Sequence, residues 1–195
     1  MKGKTVGFAM CGSFCTFKKA IEQMEILRDA GFDILPIMSF NAYNTDTRFG
    51  KSAEIISRIE VISQNHVIHT IEDAEPIGPK KLCDVLLVAP CTGNTLGKLS
   101  LGITDTPVTM AVKSHLRINR PVVLSIATND GLGASAANIG NLMNTKNIYF
   151  VPFGQDDPIA KSTSLISDFS QMKDTVVSAV IYKKQLQPII IQYSK

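Results

Sequence analysis

Short apolar runs that lack polar alternation recur along this chain, and they constrain its fold more than any other feature. The clearest run spans residues 84–89, and similar runs lie at residues 5–10, 34–38, 67–70, 121–127 and 148–151. Strands of this composition are typical of a parallel sheet covered by helices on both faces. The sequence therefore predicts a three-layer α/β/α sandwich of the flavodoxin-like or Rossmann-like class, with a parallel sheet of about six strands.

Helical apolar spacing separates these runs. Residues 17–27 carry apolar side chains at steps of three and four, and Gly31 follows as a natural C-terminal stop. Ser52 is the predicted cap of a second helix, and Thr106 with Pro107 the cap and first residue of another. Further helices are predicted at 94–101, 133–144 and 168–184, with a long exposed loop at 72–81 and a last strand or arm at 189–193. We expect one domain over residues 1–195, with 186–195 as a possible C-terminal arm.

Composition excludes several classes of protein. With 45% hydrophobic and 19% charged residues, wholesale disorder is excluded, and no apolar run approaches the length of a membrane span. The net charge of +3 is scattered, which gives no support for nucleic-acid binding. The four cysteines match neither a disulfide ladder nor a zinc motif, so no metal is expected and reduced thiols in a cytoplasmic protein are predicted.

Small polar loops follow four of the predicted strands, at residues 11–14, 39–41, 90–95 and 128–135. Ligands of open parallel sheets bind outside the carboxyl ends of the strands. Hydroxyls beside helix N-termini suit a phosphate, whereas a carboxylate pair, a lysine clamp and the Gly-x-Gly-x-x-Gly fingerprint are missing. The loops therefore predict a site for a phosphorylated cofactor, and neither nucleotide cleavage nor a dinucleotide site.

Other side chains leave alternatives open. Cys91 precedes a helix start, where the helix dipole would lower its pKa and make it a conceivable nucleophile of a hydrolase or transferase. His66 and His69 are interpreted as structural, His115 as part of a solvated helix face, and Asp105 as a helix cap that could also face a site. Core packing is predicted for the methionines Met10, Met24, Met38 and Met110.

The order of the loops resembles the flavoprotein decarboxylase family, whose members bind FMN in homo-oligomers. The matching positions are Gly12-Ser13, Ser39, residues 90–95 and residues 102–106, so the resemblance covers at least residues 4–130. Two features depart from that family: its Pro-x-Met-Asn-x-x-Met clamp is missing, and its Ala-Ser-Ala is replaced by residues 91–93. These departures argue against cysteine decarboxylation, whereas a phosphate-bearing cofactor remains compatible.

This resemblance implies FMN as the cofactor. The Gly-Ser turn and Ser39 would hold its phosphate, Thr128 and Asn129 would line its ring, and Asn94 would contact the ring or the substrate as a candidate catalytic residue. The full set of cofactor-binding residues is Gly12, Ser13, Phe14, Ser39, Pro90, Cys91, Thr92, Asn94, Thr95, Thr128 and Asn129.

A closer likeness is carried by residues 7–16, 129–138 and 149–158, which resemble the family of dipicolinate synthase B subunits. That family implies a partner A subunit that binds NADP, and the oxidation of a dihydrodipicolinate-type precursor to pyridine-2,6-dicarboxylate in the mother cell of a spore-forming bacterium. A dicarboxylate substrate calls for a cation, and the candidates are Lys18, Lys19, Lys98, Lys113, Arg117 and Arg120.

Assembly and activity remain open at this point. The decarboxylase likeness implies trimers or dodecamers, with residues 105–120 and the C-terminal segment as contact surfaces. Two alternatives stay beside the synthase component: a non-catalytic flavodoxin-like partner, and an FMN-dependent decarboxylase-like enzyme.

Overall fold

A computed structural model describes residues 1–191, and its centre is a parallel sheet. The parallel strands are β1 (Lys4–Met10), β2 (Phe32–Met38), β3 (Val85–Cys91), β4 (Val122–Thr128) and β5 (Ile148–Phe150), in the order β2-β1-β3-β4-β5. Two antiparallel strands, β6 (Phe153–Gly154) and β7 (Leu165–Ser167), extend the edge beyond β4. The predicted α/β class is confirmed. The strand predicted at 67–70 is wrong, because only Ile68 makes a single bridge, to Ile37.

Eight α-helices connect and cover the strands in the described part of the chain. They are α1 (Phe17–Asp29), α2 (Phe40–Asn44), α3 (Ser52–Ser63), α4 (Ile71–Ala74), α5 (Gly93–Ser100), α6 (Pro107–Leu116), α7 (Ala136–Met143) and α8 (Met172–Val177). The predicted start of α6 is confirmed, since Thr106 and Thr109 form a reciprocal capping box ahead of Pro107. Ser52 does not cap α3: Lys51 holds that position, and the Ser52 hydroxyl donates to Asp46.

The two faces of the sheet carry two separate cores. Phe8 of β1 packs with α1 and α3 on one face, whereas Ala9 packs with α6 on the other. Every residue of the central strand β3 is buried. Met10, Met24 and Met38 lie in the core as predicted, whereas Met110 is only half-buried. Along β1, β3 and β4, the side chains that a ligand could reach therefore lie at or beyond the strand ends.

The segment predicted as an exposed loop at 72–81 is instead packed against α6. Ala74 of α4 and Ile77 in the following 3₁₀ turn are both fully buried. The Gly78 N–H donates to the Ser114 hydroxyl at 2.9 Å, and a Cβ at Gly78 would lie 2.0 Å from the Ser114 carbonyl oxygen. Ala74 and Ile77 are apolar and three residues apart, and this spacing among the acidic residues was the signal that sequence reasoning missed.

His115 is likewise buried, so the prediction of a solvated helix face is wrong. His115 is 0% exposed, and its Nδ1 lies 3.7 Å from the sulfur of Cys83, in the segment that leads into β3. Burial, with a smaller contribution from the charge of Arg120, lowers the pKa of His115 from 6.5 to about 4. This imidazole is therefore neutral at pH 7.

Beyond α7, the helix predicted at 168–184 is present as one helical stretch over residues 169–182. It begins with a 3₁₀ turn (Phe169–Gln171), continues as α8, and ends with a π-helical turn (Ser178–Tyr182). Residues 189–191 run beside β6, with Phe153 N–H donating to the Ile189 carbonyl and Ile191 N–H donating to that of Phe153, both at 3.0 Å. Residues 192 and 193 of the predicted last strand lie outside the described part.

Candidate functional site

A cleft of about 300 Å³ lies at the carboxyl ends of β1, β3 and β4. This is the edge at which open parallel sheets bind their ligands. One side of the cleft consists of the loops that follow these three strands. The other side consists of residues 155–164, which connect β6 to β7, and the first residues of β7.

The turn after β1 presents free hydrogen-bond donors to the cleft. Gly12 and Ser13 line it, and a 3₁₀ turn (Phe14–Thr16) leads from them into α1. Within residues 1–191, the backbone N–H groups of Gly12, Phe14 and Cys15 have no acceptor. The Ser13 hydroxyl has only the Cys15 sulfur nearby, at 4.0 Å. A cluster of this kind is suited to an anion.

The N-terminus of α5 adds a second set of donors. Thr92 caps this helix, and its hydroxyl accepts from the Thr95 N–H at 3.4 Å. The N–H groups of Gly93 and Asn94 have no acceptor among the described residues, as expected in a first helical turn. The Thr95 hydroxyl points inward and donates to the Cys11 sulfur at 3.2 Å. Thr92 thus faces the cleft, while Thr95 points away from it and fixes the loop after β3 through its contact with Cys11.

A carboxylate lies next to the cleft residues Gly93 and Thr128 at the end of β4, without lining the cleft itself. The Thr128 hydroxyl donates to Oδ1 of Asp130, and the Ser135 hydroxyl donates to the same oxygen at 3.0 Å. A Cβ at Gly93 would lie 2.7 Å from both Asp130 Oδ1 and Thr128 Oγ1. The residues at 93 and 130 are therefore complementary, since the carboxylate fills the space that a side chain at position 93 would need.

The 155–164 segment brings charge into the cleft. The Lys161 ammonium donates to Asp156 at 3.0 Å, and both residues line the cleft. Partial burial raises the pKa of Asp156, but hydrogen bonds from Ser164 and Lys161 outweigh it, so that the pKa lies below its usual value. The hydrogen bond and charge of Asp156 raise the pKa of Lys161. Both groups are charged at neutral pH.

Sequence reasoning did not identify this segment as part of the site. Residues 149–158 carried part of the family resemblance, but Lys161 follows them in a stretch without helical or strand periodicity. Only the antiparallel return of the chain through β7, which pairs with Ala127 and Thr128, places it over the cleft. The acidic pair Asp156-Asp157 followed by a lysine was the one local signal.

The cleft brings together five of the predicted cofactor-binding residues. They are Gly12, Ser13, Thr92, Thr128 and Asn129. The others, Phe14, Ser39, Pro90, Cys91, Asn94 and Thr95, do not line it. Pro90 and Cys91 are buried in β3 and Asn94 is exposed at the start of α5, while Ser39 caps α2 by accepting from the Ala42 N–H at 3.3 Å.

The six cations predicted for a dicarboxylate also lie outside the cleft lining. The Lys98 ammonium pairs with Asp105 at 2.8 Å. Asp105 is not the cap of α6, because Thr106 holds that position, and Asp105 does not line the cleft. Arg120 donates to the backbone carbonyls of Lys81 and Cys83. In the described chain, Lys161 is the one lysine or arginine that lines the cleft.

The structure removes the physical basis of a Cys91 nucleophile. Cys91 is fully buried, and this burial raises its pKa well above the usual range, opposite to the predicted lowering by the helix dipole. Burial also raises the pKa of Cys11 to about 11. Cys15 is the exposed thiol of the four, and it lines the cleft.

Fold and cleft together define an α/β domain with donors for an anion at its carboxyl edge. The Flavoprotein family matches residues 1–182, and the chain belongs to this family. In the part that the structure describes, no helix is long and apolar enough to cross a membrane, and no three potential ligands cluster to hold a metal.

Individual relatives sharpen this assignment. The chain is 44% identical to the dipicolinate synthase B subunit of Bacillus subtilis (strain 168), over 98% of this chain and 96% of that protein. A crystal structure of the dipicolinate synthase B subunit from Bacillus halodurans C is 42% identical, with a TM-score of 0.90 over 98% of this chain and 97% of that one. The predicted resemblance is confirmed.

A more distant structure shares the fold alone. The dodecameric FMN-dependent Ubix-like decarboxylase of Escherichia coli O157:H7 is 19% identical, with a TM-score of 0.63 over 76% of this chain and 79% of that one.

Proposed function

We propose that this chain binds FMN in the cleft and serves as the B subunit of a dipicolinate synthase. With an A subunit that binds NADP, it would take part in oxidising a dihydrodipicolinate-type precursor to pyridine-2,6-dicarboxylate. The observation that carries this proposal is the similarity to a dipicolinate synthase B subunit along nearly its full length. The cleft, with its free N–H and hydroxyl donors, supports it. The mother cell of a spore-forming bacterium is the corresponding place of action.

The residues present fit FMN. Ligand sites usually enclose about 300–1,000 Å³, and this cleft reaches the lower bound while remaining open to solvent. Two helix starts contribute free N–H groups, and such groups can bind a phosphate even where no positively charged side chain is present. We assign the phosphate to Gly12 and Ser13, with Ser39 nearby, and the ring to Thr92, Thr128 and Asn129.

The remaining predicted residues would support this site from behind. Thr95 and Cys91 fix the loop that carries Thr92, and Pro90 precedes it within β3. Phe14 packs against Phe17 of α1, with ring centroids 5.1 Å apart, and so holds the turn after β1. The exposed amide of Asn94 is placed to meet a substrate that enters from solvent.

The chemistry divides between cofactor and protein. A bound flavin supplies an acceptor or donor of two electrons. The chain's own groups orient the ligand through N–H and hydroxyl donors, and Asp130 is held as a hydrogen-bonded carboxylate beside them. The precursor must lose two hydrogens as its ring becomes aromatic: one would pass as a hydride to the oxidised nicotinamide of the partner, and the other would leave as a proton to solvent.

Assembly belongs to the same proposal. We assign residues 1–195 to one flavoprotein-like domain that forms trimers or dodecamers, with residues 105–120 and the arm at 186–195 as contact surfaces. Residues 189–191 of the arm run beside β6, and Gln185, which precedes the arm, accepts from the Phe150 N–H at 2.8 Å and donates to its carbonyl at 2.7 Å. Analytical ultracentrifugation of the chain with and without residues 186–195 would test this role.

The decisive experiment is a titration with FMN followed by visible absorbance. We expect a perturbed flavin spectrum and a raised melting temperature, because a ligand that binds only the folded state stabilises it. An unchanged spectrum and an unchanged melting temperature at millimolar FMN would refute the cofactor. Mixing the chain with an A subunit and following NADPH absorbance tests the reaction itself.

A second candidate is a non-catalytic partner that keeps the fold without the flavin. The Asp130 carboxylate, seated against Gly93 at the start of α5, favours it, because a fixed negative charge opposes an incoming phosphate. Under this alternative, Ser13→Ala and Asn94→Ala would leave synthase activity intact while the complex with the A subunit still forms.

A further inference from the structure

We propose that Lys161 is the residue that recognises an anionic oxygen group, a carboxylate or a phosphate, in the cleft, and that Asp156 holds its place until the ligand arrives. This inference rests on the proposed function for the ligand's chemistry, but it concerns residues that the family resemblance does not assign. The ligand oxygens would replace the Asp156 carboxylate as the partner of the Lys161 ammonium.

The geometry makes such an exchange possible without movement of the backbone. Hydrogen bonds fix the 155–164 segment on both sides of Lys161: Gln155 Nε2 donates to the Ser162 carbonyl at 2.8 Å, and the Thr163 hydroxyl donates to the Asn129 carbonyl at 2.7 Å. The Leu132 N–H donates to the Thr163 carbonyl at 2.9 Å. Because the loop is already tied to the end of β4, only the Lys161 side chain needs to turn.

The existing ion pair is weak enough to be given up. The side chains of Lys161 and Asp156 are 53% and 30% exposed, and solvent-exposed ion pairs contribute little to stability because water screens them. A ligand anion in the cleft would also accept from the free N–H groups after β1 and at the start of α5, whereas Asp156 accepts from Lys161 and Ser164 of its own segment. The ligand is therefore the better partner for the ammonium.

The same arrangement predicts effects of opposite sign for the two residues. Lys161→Met removes the attraction and should weaken binding of the anion about tenfold. Asp156→Asn removes both the internal competitor and a negative charge in the cleft, and should strengthen binding about two- to threefold. A residue that merely held the loop in shape would weaken binding in both variants.

The test compares four ligands by titration calorimetry at low salt: FMN, riboflavin, pyridine-2,6-dicarboxylate and inorganic phosphate. Lys173→Met and Asp174→Asn are matched controls, because this exposed pair, 3.9 Å apart on α8, does not line the cleft. Melting temperatures confirm that each variant folds. Loss of FMN affinity in Lys161→Met with riboflavin unaffected identifies the phosphate as the partner, whereas loss confined to pyridine-2,6-dicarboxylate identifies the carboxylate.

The outcomes separate this inference from the proposed function. In one outcome, FMN and pyridine-2,6-dicarboxylate each bind Lys161→Met and Asp156→Asn as tightly as they bind the control variants. That result leaves FMN as the cofactor and overturns the role of Lys161. Failure of FMN to bind, with Lys161-dependent binding of the dicarboxylate, overturns the cofactor and supports Lys161. If none of the anions binds the unaltered protein, the inference is wrong.

Discussion

The two sides of the cleft meet a ligand in different ways. The loop side (residues 12–16, 92–93 and 127–129) offers hydroxyls and backbone N–H groups at helix starts, and no cation. The hairpin side (residues 155–166) offers an ammonium and a carboxylate on an exposed connection. Neutral donors fixed by the fold provide shape and position, whereas a charged side chain that can change partner provides recognition of a particular anion.

This difference reflects how each side is built. The loop side follows three buried parallel strands and is held by their register and by the cap of α5. The hairpin side depends on two short antiparallel strands and a few side-chain hydrogen bonds. We therefore expect substitutions on the loop side to affect folding as well as binding, and those on the hairpin side to affect binding alone.

The largest effect should come from Gly93→Ala on the loop side. Its methyl group would lie 2.7 Å from Asp130 Oδ1 and Thr128 Oγ1 and 2.8 Å from Ser135 Oγ, so that the end of β4 must shift. Overpacking of this kind costs about 1–3 kcal/mol. Urea denaturation should show this loss of stability, and FMN affinity should fall with it.

Two further variants make this prediction specific. Gly97→Ala lies one turn later in α5, where the added methyl would meet only the Asn138 amide at 3.5 Å, so we expect no loss and a gain of up to about 1 kcal/mol. Adding Asp130→Gly to Gly93→Ala should restore part of the stability, because it removes one of the three close contacts and leaves those with Thr128 Oγ1 and Ser135 Oγ. Equal losses at positions 93 and 97 would contradict the complementarity of residues 93 and 130.

The second prediction separates the cleft from the core beneath α6. Burial lowers the pKa of His115 from 6.5 to about 4, so the neutral imidazole belongs to the folded state and the unfolded state binds a proton first. Stability is then complete above pH 6.5 and falls as the pH drops toward 4, by about 2 kcal/mol near pH 5. Thermal unfolding across this range should show the loss.

The comparison variant here is His66→Gln, which removes a histidine whose side chain is 98% exposed. His115→Gln should flatten the pH profile between pH 6.5 and 5. No histidine lines the cleft among the described residues, so riboflavin affinity should stay constant over the same range. A profile that His115→Gln leaves as steep as before would assign the titration to another group.

The sequence predicted the two sides unequally, for physical reasons. Gly12, Ser13, Thr92 and Thr128 follow strongly apolar strands, and the rule that ligands meet the carboxyl ends of parallel strands placed them together. Lys161 depends on the pairing of β7 with β4, a contact between residues nearly forty positions apart that no local pattern encodes. The burial of His115 likewise depends on distant residues such as Cys83, 32 positions away, and not on the pattern of α6 itself.

The smallest expected effect concerns Cys15, which lies where the two sides meet. It lines the cleft beside Ser13, whereas Cys11, Cys83 and Cys91 are buried. An alkylating reagent should therefore modify one of the four thiols in the folded protein and all four after denaturation. Bound FMN should slow this modification a few-fold, because the ligand covers the cleft without enclosing it.

Riboflavin makes this measurement a test of where the phosphate lies. If the phosphate occupies the turn after β1, riboflavin should protect Cys15 less than FMN at equal saturation, since the N–H groups around Cys15 then remain open to solvent. Equal protection by both would move the phosphate away from this turn and toward the start of α5. The loop of Lys161 faces the turn that holds Cys15, so Lys161 would then lie away from the phosphate and would bind the substrate's carboxylate instead.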